Sequence, residues 1–295
     1  MLFRSFLQND PQVLPEHRGF ANHYHLAKDE FGDNGHFPWQ LYVREGRRIV
    51  GEYTLSENDV ILGPELGRPP IHADAITAGE YPIDSMPARK REPGHPSLEG
   101  YILMLRNFTH PYHIPYRIIV PKTVDGLLVP VAASATHIAF SSIRLEPTWM
   151  ALGMAAGTAA HFAIRDNIAP RRVDVTSLQR ELLRQGQVLT YFKDVSPDNP
   201  AYFALQYFGT KGFFPDYFAR GGDVLDGATA RRWLMAAFGT AGARLAERVP
   251  ATGNLTNADL AALCREARWA SPSPLPEPNG NVTRGEFCRV LFETL

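Results

Sequence analysis

The chain has 295 residues, 44% hydrophobic and 21% charged, with a formal net charge of −1. It is long enough for one large domain or two smaller ones and has an ordinary globular composition, and the near-zero charge gives no support to a nucleic-acid or membrane-surface partner. Cys264 and Cys288 supply neither a disulfide framework nor a cysteine-rich metal site, and there is no 18-residue apolar run and no signal peptide, so a cytoplasmic location is expected, with export left open by a longer natural protein.

Residues 1–40 are polar, with scattered aromatics and clustered histidines, and read as irregular. His17, His23, His25 and His36 lie near Asp29, Glu30 and Asp33. No helical spacing fixes their geometry, so no metal is expected. Trp39–Leu55 reads as helical through Arg48, ending near Gly51. That helix would put Arg44 and Arg48 on one face with Arg47 beside them, either holding an anionic or hydroxylated substrate or forming a solvated face paired with Glu45 and Glu52. Gly- and Pro-rich loops at 63–70 and 87–97 flank an expected strand over Ile71–Tyr81. Strands are also expected over Tyr101–Arg106 and Tyr116–Val120, with a turn over Thr109–Pro115.

The most informative stretch is Gly126–Ile164, read as a buried strand over Leu127–Val131, an irregular turn, and a helix. Pro147 suits the first turn of that helix, with Glu146 at its cap. Gly153 and Gly157 inside it cost roughly 1 kcal/mol each against alanine. Close approach of another backbone or of a flat ligand is the expected reason. The free amides and positive dipole end of the helix suit an electron-rich group. A short charged helix follows over Val175–Arg184.

From about Asn199 the texture becomes helical. Leu225–Phe238 resembles Asn279–Phe292: in each, a threonine after a glycine turn is expected to cap a helix with apolar residues at helical spacing. Helices are expected before them at Tyr202–Lys211 and Asn257–Arg268. The organisation expected is therefore a substrate region over 1–125, a closing strand–helix part over 126–198, and a helical repeat-like module over 199–295. The fold class is α/β, an α+β region followed by an all-helical module.

The runs Leu41–Tyr53 (LYVREGRRIVGEY), Tyr81–Asp84 (YPID), Ile114–Pro121 (IPYRIIVP) and Gly126–Gly157 together resemble the C-terminal half of the bacterial FAD-dependent oxidoreductases, flavoproteins of glutathione-reductase-type topology. The resemblance covers roughly residues 20–170. It implies FAD as cofactor, a small-molecule substrate of hydroxylated or sugar-like character, and hydride transfer from a substrate carbon to the flavin. More loosely, VTRGEF at Val282–Phe287 and KGFFPD at Lys211–Asp216 resemble S-layer-homology repeats. The G-x-G-x-x-G fingerprint that holds the pyrophosphate at a helix N-terminus has no counterpart in this sequence. That departure implies a truncated product or fragment, or one part of a split protein that needs an N-terminal FAD-binding segment.

The resemblance also places candidate residues. Ala132, Ala133 and Ser134 would let the flavin approach the backbone, and His137, Ser142 and Arg144 would supply polar groups. Arg144 either stabilises negative charge on the reduced ring or pairs with a carboxylate such as Glu146. Met150 and Gly153 either face the flavin or pack on the sheet. Tyr81 and Asp84 would line the substrate cavity with Arg44, Arg47, Arg48, Tyr42 and Tyr53, while His110, His113 and Arg117 would approach it as catalytic groups. Two other readings stand beside this one: a non-catalytic domain that binds no FAD, and a surface- or glycan-attachment module built on the helical tail.

Overall fold

A computed structural model of the protein describes residues 2–39, 44–63, 67–88, 92–94, 100–102, 109–269 and 277–295. The chain forms two compact units, Met1–Arg44 and Glu45–Leu295. In the first, α1 (Leu2–Asn9) and α2 (Pro15–Ala21) are joined by amide side chains. Gln8 donates to the carbonyls of Ala21 and Tyr24, and Asn22 returns a bond to the carbonyl of Gln8.

In the second unit, α3 (Glu57–Val60) precedes an antiparallel pair, β1 (Ala75–Gly79) and β2 (Tyr112–Pro115). The register pairs Ala75 with Pro115 and Gly79 with Tyr112. The expected strand over 71–81 is therefore present over its middle. The expected turn over 109–115 is corrected: that stretch forms β2, with Pro111 before the strand and Pro115 at its last position, where a missing N–H is tolerated. Tyr116–Ile118 is a 3₁₀ turn rather than a strand, because the Tyr116 amide turns back to the carbonyl of Asp74. Of the strand expected over 101–106, only Tyr101 and Ile102 lie within the described residues, and Ile102 bridges Ser85.

Two further expectations fail for lack of backbone partners. Residues 44–48 are not helical, and Gln40–Val43, including Tyr42, lie outside the described residues. Ile49 instead donates to the carbonyl of Ala132, and the Arg48 guanidinium to that of Ala135. These tertiary bonds override local helix propensity. Residues 127–131 form no strand, and Leu127 and Val131 are exposed. A strand needs neighbours for its amides and carbonyls, whereas this stretch gains a bond from the Val129 amide to Ile119.

The expected irregular turn before Pro147 is corrected: it holds a helix, α4 (His137–Ile143), capped by the Thr136 hydroxyl on the Ala139 amide. The next two helices follow the sequence closely: α5 (Glu146–Arg165) and α6 (Val175–Arg184), the last capped by the Asp174 carboxylate on the amides of Thr176 and Ser177. Leu145 occupies the cap position of α5, so Glu146 is its first residue. α5 buries Leu152, Ala155, Ala156, Ala159 and Ala163 against β1 and α6. A Cβ placed on Gly153 or Gly157 meets no heavy atom within 4 Å. The alanine face, not the glycine face, makes the close approach within this chain.

The rest is helical: α7 (Tyr202–Gly209), α8 (Gly227–Ala246), α9 (Asn257–Ala267) and α10 (Arg284–Glu293). Gly239, at φ 55°, interrupts α8. The starts of α8, α9 and α10 close on one another in a ring of backbone bonds. Leu225 donates to Val282 (2.8 Å), Val282 to Leu255 (2.9 Å) and Leu255 to Leu225 (2.8 Å), and all three side chains are fully buried. Thr256 and Thr283 cap their helices in reciprocal capping boxes. The first cap is Asp226 rather than Thr229, which lies three residues inside and donates its amide to it. Among the described residues the chain is thus mixed α/β, with ten α-helices and a two-stranded sheet. No described helix is long and apolar enough to cross a membrane.

Candidate functional site

The turn before α4, α4 itself and its C-cap Arg144 bring several of the expected flavin-side and substrate-side residues together. Ser142 donates to the carbonyl of Tyr81 (2.5 Å) and lies 2.7 Å from the Tyr112 hydroxyl. Arg144, buried, reaches Asp84 at 3.5 Å and lies over the Tyr81 ring. The Asp84 amide in turn donates to the Ser141 hydroxyl. Arg144 therefore pairs with a carboxylate, and that carboxylate is Asp84 rather than Glu146. Ser134 shares a 2.9 Å hydrogen bond with Thr54. His137 bridges Glu45 (2.8 Å) and the Met86 carbonyl (2.6 Å).

These contacts decide whether the residues fit a flavin. Ala133, Ser134, Ser142 and Arg144 are all buried, at 0%, 1%, 1% and 5% exposure, and the serine hydroxyls are engaged inside the protein. Ala132 is half-buried, while Met150 stands out at 75% exposure beside the open Gly153. A cofactor cradle needs polar groups directed at its ligand. The polar atoms here are directed inward, so this set does not by itself fit FAD.

A second cluster lies between α3, β1 and β2. The sequence Ser56-x-x-Asp59 forms a capping box at α3, which turns the Asp59 carboxylate into the interior. It accepts hydrogen bonds from Tyr53 Oη (2.7 Å), His72 Nε2 (3.0 Å), and both the amide and the hydroxyl of Ser56 (2.7 and 3.0 Å). Burial pushes this carboxyl up, but the four donors outweigh it and hold the pKa at about 2. Burial and the neighbouring carboxylate push the Tyr53 phenol up to about 12.

His113, predicted as catalytic, sits behind this pair. Its ring lies 3.1 Å from both Arg68 Nη2 and Thr190 Oγ1, and its Nδ1 accepts from the His72 amide. Burial first, and then the Arg68 charge, hold its pKa well below the ordinary value, so it is neutral and 1% exposed. Arg68 is itself buried, over the Tyr217 ring and against the Asp216 carbonyl. His110 is half-buried just before β2, and Arg47 is exposed.

Arg117 faces outward. It grips Asp74 through Nε (2.9 Å) and Nη2 (3.3 Å) and lies over the Tyr53 ring. Arg117, Asp74, His72 and Lys211 line an open groove of about 440 Å³ together with Ile71, Ala73 and Val175. Lys211 donates to the Ala73 carbonyl (2.6 Å) and to Gln179 (3.0 Å), and burial lowers its pKa to about 8. Of these groups the sequence pointed only to Arg117. The Ser56-x-x-Asp59 spacing was a readable signal, but nothing linked it to His72 or to Lys211, 139 positions further on. Among the described residues no group of three or more His, Cys, Asp or Glu converges as for a metal.

No curated protein and no solved structure matches the chain. The family model described as FAD dependent oxidoreductase matches residues 2–182, which include both clusters apart from Thr190, Lys211, Asp216 and Tyr217. The chain belongs to the FAD dependent oxidoreductase family.

Proposed function

We propose that these 295 residues form the substrate-side and closing portion of a flavin oxidoreductase, which takes up FAD only together with a dinucleotide-binding strand–GxGxxG–helix unit. The observation that carries this reading is the outer face of α5. Met150 and Ile164 are 75% and 81% exposed, with Gly153 and Gly157 open between them. That face suits packing against a further layer, while the polar groups of Arg144, Ser142 and Ser134 are spent on Asp84, Tyr81 and Thr54. Pyrophosphate and ribose contacts contribute much of the affinity for a dinucleotide, and this chain has no fingerprint to make them. Hydride transfer from a hydroxylated substrate is the reaction that family membership suggests for the assembled protein. The experiment is reconstitution: the chain alone fails to retain FAD on gel filtration, and adding a dinucleotide-binding unit from the family yields a yellow complex. Failure of the mixture to retain flavin sinks the reading in favour of a non-catalytic domain.

A second role, attachment to a surface glycan, is favoured by the ring of three capped helix starts. A cleft of about 280 Å³ beside the third of them, the start of α10, is lined by Asn199, Gly221, Thr283, Glu286 and Arg289. Removing residues 199–295 would take Leu205 and Phe208 out of the core they share with Leu178 and Leu182, so the test uses Arg289→Ala in a cell-wall-polymer sedimentation assay. Polymer binding by the parent that the variant loses supports attachment; no binding by the parent removes it.

A further inference from the structure

The groove beside the Asp59–His72 pair is separate from the turn before α4 and from the outer face of α5. Its lining carries two cations, Arg117 and Lys211, and one carboxylate, Asp74. Arg117 spends Nε and Nη2 on Asp74, which leaves Nη1 for another acceptor. Lys211 spends two of its three hydrogens on Ala73 and Gln179, which leaves one. His72 gives its Nε2 hydrogen to Asp59, and in that tautomer Nδ1 carries the ring's lone pair. Two unspent cationic donors and one oriented acceptor thus meet at a single concave surface.

We propose that this groove binds a small 2-hydroxy carboxylate, its carboxylate between Arg117 and Lys211 and its hydroxyl donating to His72. The charge balance selects a monoanion: the lining sums to +1 with Lys211 protonated, and Asp74 in the same wall opposes a dianion such as phosphate. The lowered affinity of Lys211 for its proton fits an amine that lacks a full counter-charge in the free protein. A bound carboxylate supplies one and raises it. The titratable groups facing Lys211 are Asp74 and Asp174, the phenol of Tyr207, and His72, His113 and Arg117 near the groove. The inference goes beyond the flavin reading and does not depend on it.

The test is an NMR titration of the full chain with glycolate, acetate and inorganic phosphate, against sodium chloride at matched ionic strength. Glycolate is expected to shift the His72 ring nitrogens and the Lys211 side chain saturably, and to bind roughly tenfold more tightly than acetate, the difference being its hydroxyl bond. Arg117→Gln and Lys211→Met each weaken glycolate about tenfold or more, as loss of a charge-assisted bond does. Ala73→Phe, which fills the groove without removing a charge, abolishes binding. Near-UV circular dichroism checks the fold of each variant, and Ala73→Phe and Lys211→Met decide the matter if Arg117→Gln unfolds. Non-saturable shifts, tighter binding of phosphate, or undiminished binding to Ala73→Phe overturns the proposal.

Discussion

Replacing Asp59 with asparagine tests the inner polar cluster directly. The wild-type carboxylate accepts four hydrogen bonds and has a pKa of about 2 against an ordinary 3.8. That difference corresponds to about 2 kcal/mol of stabilisation at neutral pH. In Asp59→Asn one oxygen becomes an NH₂ group, which turns a donor toward either Tyr53 and His72 or the two groups of Ser56. Leaving those buried donors unsatisfied brings the expected loss to about 3–5 kcal/mol at pH 7. The pH dependence is the sharper part. A carboxyl with a depressed folded-state pKa contributes fully above the unfolded value near 4 and loses its contribution as pH falls toward 2. The stability gap between wild type and Asp59→Asn, measured by urea unfolding, is therefore expected to shrink by about 1 kcal/mol between pH 7 and pH 3. A gap that is constant over that range, or absent at pH 7, refutes the reasoning.

Arg68→Met removes a buried guanidinium that has no carboxylate partner among the described residues. It is expected to be neutral or stabilising in urea unfolding, and a loss above about 2 kcal/mol contradicts that. Gly153→Ala and Gly157→Ala, with open space at each Cβ, each raise the stability of the isolated chain by up to about 1 kcal/mol; a drop in melting temperature shows that the glycine face is already covered. Thr283→Ala deletes one capping box and costs about 1 kcal/mol in thermal unfolding. An unchanged melting temperature would mean that the ring of Leu225, Leu255 and Val282 holds α10 without its cap.

How much of this was legible in the sequence differs element by element. The helices were readable because their signals are local. Pro147 and Asp174 mark the first turns of α5 and α6, and Thr283 with Glu286 marks α10. The segments that failed depend on distant partners. Leu127–Val131 has the apolar run of a strand but no neighbouring strand among the described residues, and Ile49 pairs with Ala132 across 83 positions. The same limit applies to site residues. The resemblance assigned Ser142 and Arg144 to the flavin and Tyr81 and Asp84 to the substrate cavity, and the structure brings all four together. It also shows that their polar atoms face one another, which no spacing in the sequence discloses. His72 and Lys211 carry no local motif, and only the fold assembles them with Asp59 and Arg117.

The most direct measurement for the account as a whole is flavin retention. Purified chain is incubated with excess FAD, passed through gel filtration, and read for absorbance near 450 nm against protein. This is done alone and again with a dinucleotide-binding unit of the family. The account predicts colourless protein in the first run and co-eluting flavin in the second. Stoichiometric FAD on the chain alone would contradict it, because the buried contacts of Ser134, Ser142 and Arg144 would then have to open to hold the cofactor.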